Sequence, residues 1–265
     1  RKRIHLFQVV VPSRVDIPKY DQLKTEIEEA ALRALRSTHY ILGPEVEAFE
    51  AEFAAWNGAR FGIGVGNGTD ALHLALRALG IGDGDEIVIP SFVCTALLHA
   101  ILHVRAVPVL ADIDPETYNI DPRDIRRRST GRTKAVIVPH MFGLPADLRE
   151  IIALGIPVIE DCAQALGSRC DGAPAGSFGV LSVFSFYATK VICTGEGGMV
   201  AANDRQLLEK IGDMRDYDEK EVHRLRFNCK MTDLQAALGL AQMRRLPLLI
   251  ERRRAIARRY DAFLR

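Results

Sequence analysis

Ser182-Val183-Phe184-Ser185-Phe186-Tyr187-Ala188-Thr189-Lys190, running on into Thr194-Gly195-Glu196-Gly197-Gly198, reads as a β-branched and aromatic strand that delivers one lysine to its end and then breaks into glycine. An ammonium group is costly to bury, so a lysine where an apolar strand stops is a candidate for a lowered pKa and for covalent work. A solvated loop lysine fits the same stretch, and the rest of the chain has to decide between them.

Working outward, apolar runs and helical patterns alternate. Helical spacing covers Tyr20 to Leu35, and a second helix marked by Val46, Phe49, Phe53 and Trp56 stops at Asn57-Gly58. Strands are expected at 61–65, 86–89, 106–110, 135–138, 157–159 and 199–202, with helices at 69–79, 95–103, near Asp124, at 148–154 and at 204–211. From Thr232 a long helical pattern, interrupted at Pro247, continues to the last residue. Such alternation predicts an α/β fold with a mostly parallel sheet covered by helices on both faces, and ligands bound beyond the carboxyl ends of the strands.

A chain of 265 residues can bury a full core, and a net charge of +1 with 26% charged residues gives no general affinity for nucleic acid or anionic membranes. Arg252-Arg253-Arg254 and Arg258-Arg259 read as a solvated helix face. The single cysteines Cys94, Cys162, Cys170, Cys193 and Cys229 form no C-x-x-C pair, which fits a reducing cytoplasm better than zinc or a disulfide framework. Arg1-Lys2-Arg3-Ile4-His5-Leu6 lacks the apolar run of a signal peptide, and no segment has membrane-spanning length. A soluble cytoplasmic protein is the expectation.

Two stretches carry the chemistry besides the lysine. Val65-Gly66-Asn67-Gly68-Thr69-Asp70 is a strand, a glycine turn and a helix start, suited either to a phosphate or to an ordinary turn with Thr69 as N-cap. It meets neither the G-x-G-x-x-G dinucleotide fingerprint nor the P-loop pattern. Asp161 ends the apolar strand before Cys162-Ala163-Gln164-Ala165, and is either a helix N-cap or a carboxylate awaiting a cation such as a protonated pyridine nitrogen. His99 and His103 lack the glutamate of a zinc protease motif, Ala100 standing in its place, and Ala175-Gly176-Ser177-Phe178-Gly179 lacks the first glycine of a nucleophile elbow. Phosphate cradle, strand-end aspartate and lysine are together what pyridoxal phosphate needs: an anchor, a partner for the ring nitrogen, and an amine for its aldehyde.

At this point the chain resembles the DegT/DnrJ/EryC1/StrS family of pyridoxal-phosphate sugar aminotransferases. The resemblance runs from Tyr40-Ile41-Leu42-Gly43-Pro44 through Asn67-Gly68-Thr69-Asp70-Ala71-Leu72, Gly82-Asp83-Gly84-Asp85-Glu86, Ile159-Glu160-Asp161-Cys162-Ala163-Gln164-Ala165 and the Phe184-to-Gly198 stretch to Met231-Thr232-Asp233-Leu234-Gln235-Ala236-Ala237. It implies the type I, aspartate aminotransferase-like fold of pyridoxal-phosphate enzymes, with residues 1–231 as the large cofactor-binding domain with its N-terminal helical arm. Residues 232–265 would be linking helices at the start of a small C-terminal domain. Family members continue for about a hundred residues more, a separate domain in size, so that small domain is expected to be truncated here.

The resemblance also assigns roles. Lys190 would hold the cofactor covalently and move the substrate proton, Asp161 would bind the pyridine nitrogen, and Gln164 would lie near the ring hydroxyl. Gly68, Thr69 and Ser185 would hold the phosphate, and Phe92 would stack on the ring. Asn228 would reach the cofactor phosphate of a neighbouring subunit, implying a homodimer with shared active sites. Lysine where sugar-dehydrating relatives carry histidine favours amino transfer, from glutamate or glutamine to a keto sugar, nucleotide-linked in the family's manner. A catalytically idle homologue with a binding or regulatory role is the alternative.

Overall fold

A computed structural model describes residues 17–218 and 220–264, so the Arg1–Leu6 reading and the final residue lie outside them. Helices α1 (Ile17–Ser37) and α2 (Pro44–Asn57) lead into β1 (Phe61–Val65). Next come α3 (Gly68–Ala78), β2 (Glu86–Pro90), α4 (Ala96–His103), β3 (Val107–Ala111), α5 (Pro122–Arg128), β4 (Thr133–Pro139), α6 (Leu148–Ile152) and β5 (Val158–Asp161). A short ribbon, β6 (Arg169–Cys170) and β7 (Ala173–Pro174), precedes β8 (Leu181–Ser185) and β9 (Gly198–Ala202); α7 (Arg205–Met214), α8 (Asp233–Met243) and α9 (Leu246–Phe263) follow. The expected elements are all present, displaced by a few residues at their ends.

The main sheet has seven strands in the order β1-β9-β8-β5-β4-β2-β3. Five of them, β8, β5, β4, β2 and β3, are mutually parallel, while β9 runs antiparallel to both β8 and β1. The antiparallel step has a local cause. Residues 186–197 between β8 and β9 hold no helix to carry the chain back across the sheet, so it returns beside the strand it left. Because β9 alone is reversed, the carboxyl ends of β1, β8, β5 and β4 share one edge.

Strand alternation sorts the core into two faces. Ile87, Ile89, Ile137, Ile159, Leu181, Val183 and Val200 pack under α3, α4 and α7. On the other face Val88, Val136, Val138 and Val158 meet α5 and α6, while Phe184, Met199 and Ala201 meet Phe49 and Phe53 of α2 and Leu240 of α8. The same parity directs Asp161 and Ser185 to the α3 side and Glu160 to the other.

Helix α8 is pinned by its own first turn. Thr232 and Gln235 form a capping box, and the buried Asp233 carboxylate accepts from the Gly43 amide at 2.7 Å and the Glu45 amide at 2.9 Å. Ala30 and Ala34 of α1 pack against Ala237 and Ala241 of α8, small residues that let the two helices approach closely. On α9 Arg252, Arg254, Arg258 and Arg259 are exposed, with Arg258 paired to Glu251 and Arg254 donating to the Gly167 carbonyl at 3.2 Å. No helix among the described residues is long and apolar enough to cross a membrane.

Candidate active site

At the shared edge of carboxyl ends lies a cavity of about 250 Å³ lined by Gly68, Thr69, Asp161, Gln164, Ser185 and Lys190, residues drawn from three separate stretches of sequence. One wall is the start of α3. Its N-cap is Asn67, whose side chain accepts from the Asp70 amide at 2.9 Å, so Thr69 is not the cap and sits instead in the first turn. Among the described residues no acceptor meets the Gly68 and Thr69 amides, which lie at the positive end of the helix dipole.

Gly68 faces Ser185 across this wall. A methyl group on Gly68 would lie 2.9 Å from Ser185 Cβ and 3.2 Å from its Oγ, closer than side chains pack. The glycine therefore sets the gap between helix start and strand end. Gly68→Ala is expected to push Ser185 aside and cost about 1–3 kcal/mol of stability by overpacking. Affinity for pyridoxal phosphate should fall by roughly tenfold or more, about one lost charged hydrogen bond; titration of the apoprotein and denaturant unfolding measure the two effects.

Asp161 is 8% exposed. Its Oδ1 accepts from the Ala163 amide at 2.9 Å, and a turn follows it where the N-cap alternative needs a helix. Burial pushes its carboxyl above the usual range, while the Ala163 amide and Lys190 pull the other way. A buried carboxylate with one amide partner and a cation nearby has capacity for one more donor. An N–H on a ligand ring would supply it.

Lys190 lies farther from the strand than the sequence suggests. Strand β8 ends at Ser185, and a turn closed by the Lys190 amide donating to the Tyr187 carbonyl at 2.9 Å brings the side chain back to the cavity. Burial lowers the pKa of its ammonium, with Asp161 and Cys94 opposing the shift. Lys190 thus lines the cavity, partly buried, instead of standing free in solvent. Gln164 uses its Oε1 to accept from the Phe142 amide at 3.1 Å, steadying a left-handed residue with φ of 56°, which leaves Nε2 as its donor for a ligand.

One residue expected in this cavity is placed elsewhere. Phe92 is 49% exposed and tilts against Tyr118 with ring centroids 5.8 Å apart, while its neighbours Val93 and Cys94 line the cavity. The Ser91 amide still donates to Ala111 at 2.8 Å, so the chain leaves the sheet only at Phe92 and turns it outward. Asn228 is exposed between Phe227 and Cys229 and does not line this cavity. Conversely, Cys94 and His140 line it without having been singled out; for His140, a polar residue directly after an apolar strand was the available signal. Of the remaining histidines, His99 is exposed and His103 packs its ring on His73 at 5.7 Å.

The family model described as DegT/DnrJ/EryC1/StrS aminotransferase family matches residues 21–265. The chain is 39% identical over 254 residues to a pleiotropic regulatory protein of Geobacillus stearothermophilus, covering 93% of this chain and 68% of that one. It is 38% identical over 253 residues to a GDP-perosamine synthase of Escherichia coli O157:H7, covering 91% and 69%. A solved DegT DnrJ EryC1 StrS aminotransferase from Brucella abortus superposes with a TM-score of 0.87 at 32% identity, covering 94% of this chain and 71% of that one. The chain thus spans about two thirds of the length of these relatives.

Proposed function

The chain belongs to the DegT/DnrJ/EryC1/StrS aminotransferase family, a pyridoxal-phosphate-dependent family, and from that premise we propose that it transfers an amino group from glutamate or glutamine to the keto carbon of a nucleotide-linked sugar. The observation that carries this reading is the convergence of Asp161, Lys190 and the unpartnered start of α3 on one cavity. The residues fit the cofactor: a dianionic phosphate suits the Gly68 and Thr69 amides and the Ser185 hydroxyl, whose spacing Gly68 guards.

Pyridoxal phosphate, when bound, supplies an electron sink for a carbon that loses a proton. The protein's own residues do the rest. Asp161, as a carboxylate, would hold a proton on the ring nitrogen; Gln164 Nε2 would donate at the ring's polar edge; and Lys190, whose ammonium burial disfavours, would provide the amine for attachment and then carry the proton between substrate and cofactor. Asn228, exposed and off this cavity, is suited to the site of a second subunit in a homodimer. Cytoplasmic location fits the unpaired cysteines.

The test is a screen of keto-sugar nucleotides with glutamate as donor, following 2-oxoglutarate release and the aminated sugar. Turnover of at least one such sugar is expected. A protein that takes up the cofactor yet converts none of them, nor exchanges its amino group with glutamate, is a binding protein and overturns the proposal.

A further inference from the structure

On the face of β5 opposite Asp161, Glu160 forms a buried pair with the cavity-lining His140 that the amino-transfer roles above do not use. The side chains of His140 and Glu160 are both fully buried, with His140 Nε2 3.0 Å from Glu160 Oε2. Glu160 Oε2 also accepts from the Gly176 amide at 2.8 Å, and its Oε1 accepts from the Phe178 and Gly179 amides at 2.7 and 2.6 Å. Four donors around one carboxylate, three of them backbone amides, keep it ionised despite burial.

The histidine is fixed from its other side. Its Nδ1 lies 3.1 Å from the Ala146 amide nitrogen, which has a proton to donate and no lone pair to offer. Nδ1 is therefore bare and Nε2 carries the single proton, given to Glu160. Cys162 completes a group whose ligand atoms fall within 4.8 Å of one another. It is not a metal site: both imidazole nitrogens and both carboxylate oxygens are engaged, and burial pushes the Cys162 thiol well above its ordinary value.

What the pair holds is the floor under Asp161. Strand β5 presents Glu160 to one face and Asp161 to the other, and the His140 amide donates to the Asp161 carbonyl at 3.1 Å. His140 thus grips both residues, one through its ring and one through its backbone, where β4 and β5 end. Resting on the aminotransferase reading above, we propose that His140 is a positioning residue for Asp161: held as the neutral Nε2–H tautomer between Glu160 and Ala146, it sets where the aspartate carboxylate meets the cofactor ring.

Two substitutions separate the grips of the ring. In His140→Gln the amide nitrogen can occupy the place of Nε2 and donate to Glu160, while in His140→Asn the amide oxygen can take the place of Nδ1 and accept from Ala146, leaving Glu160 without its side-chain donor. The glutamine variant is expected to stay within about threefold of wild-type kcat and the asparagine variant to lose tenfold or more, with KM for the sugar unchanged in both, as befits a group acting through Asp161. The bound cofactor's visible band, titrated with pH, should shift in the asparagine variant and not in the glutamine one. In the apoprotein, the imidazole nitrogen resonances of His140 should report a bare Nδ1 and a protonated Nε2 at neutral pH.

An Nδ1-protonated tautomer or an imidazolium at neutral pH overturns the inference, as does an asparagine variant with wild-type kcat and cofactor band. A wild-type protein that never takes up pyridoxal phosphate overturns the functional reading instead, and the tautomer measurement still decides the state of His140.

Discussion

Replacing Lys190 by alanine is expected to abolish amino transfer while leaving the protein folded. The lost acid–base role alone accounts for about 10²–10⁴-fold in rate, and the covalent attachment disappears with it. Stability should not fall, because the substitution removes an ammonium group whose burial is already unfavourable. The lowered pKa gives a second, independent readout. Between that value and the unfolded 10.5, the folded lysine is neutral while the unfolded chain still binds the proton, so apoprotein stability rises with pH across the window. In Lys190→Ala that rise should vanish. Borohydride reduction of the wild-type protein with pyridoxal phosphate should mark the peptide bearing Lys190, and label on a different lysine would sink the assignment.

The reach of sequence reasoning is clearest in how unevenly it treated this same cavity. Gly68, Asp161 and Lys190 were legible because each sits at a break in periodicity, where an apolar run ends and a residue of special chemistry begins. The parallel sheet followed from the alternation of runs. The reversal at β9 was not legible, since the 186–197 stretch reads as glycine-rich whichever way the next strand runs. Phe92 was assigned from a motif, but its direction depends on where the chain leaves the sheet, which Ser91 and Ala111 decide through one backbone hydrogen bond. Glu160 and His140 were missed for a related reason. A carboxylate inside Ile156-Pro157-Val158-Ile159-Glu160-Asp161 looks like the companion of Asp161, and only the fold shows three amides from the 176–179 loop converging on it.

Asp161→Asn is the sharper test of the site's electrostatics, because it changes one charge and almost no shape. The asparagine oxygen can still accept from the Ala163 amide, so the turn after β5 should survive. Turnover is expected to drop by at least about a hundredfold, in the range of a lost acid–base partner, because a neutral amide does not hold a proton on the ring nitrogen. Cofactor capture by Lys190 should persist, and its pH dependence should move in a definite direction. The Asp161 carboxylate raises the Lys190 pKa and opposes the effect of burial, so its removal lowers that pKa further. The pH midpoint for capture therefore shifts downward. Stability should change in the opposite sense from the usual carboxylate: the folded pKa of Asp161 lies above its unfolded 3.8, so its contribution is present below 3.8 and is lost as pH rises through the folded value. The asparagine variant escapes that loss and is expected to gain stability at neutral pH relative to wild type. Near-normal turnover, or a capture midpoint that moves upward, would remove Asp161 from the role assigned to it.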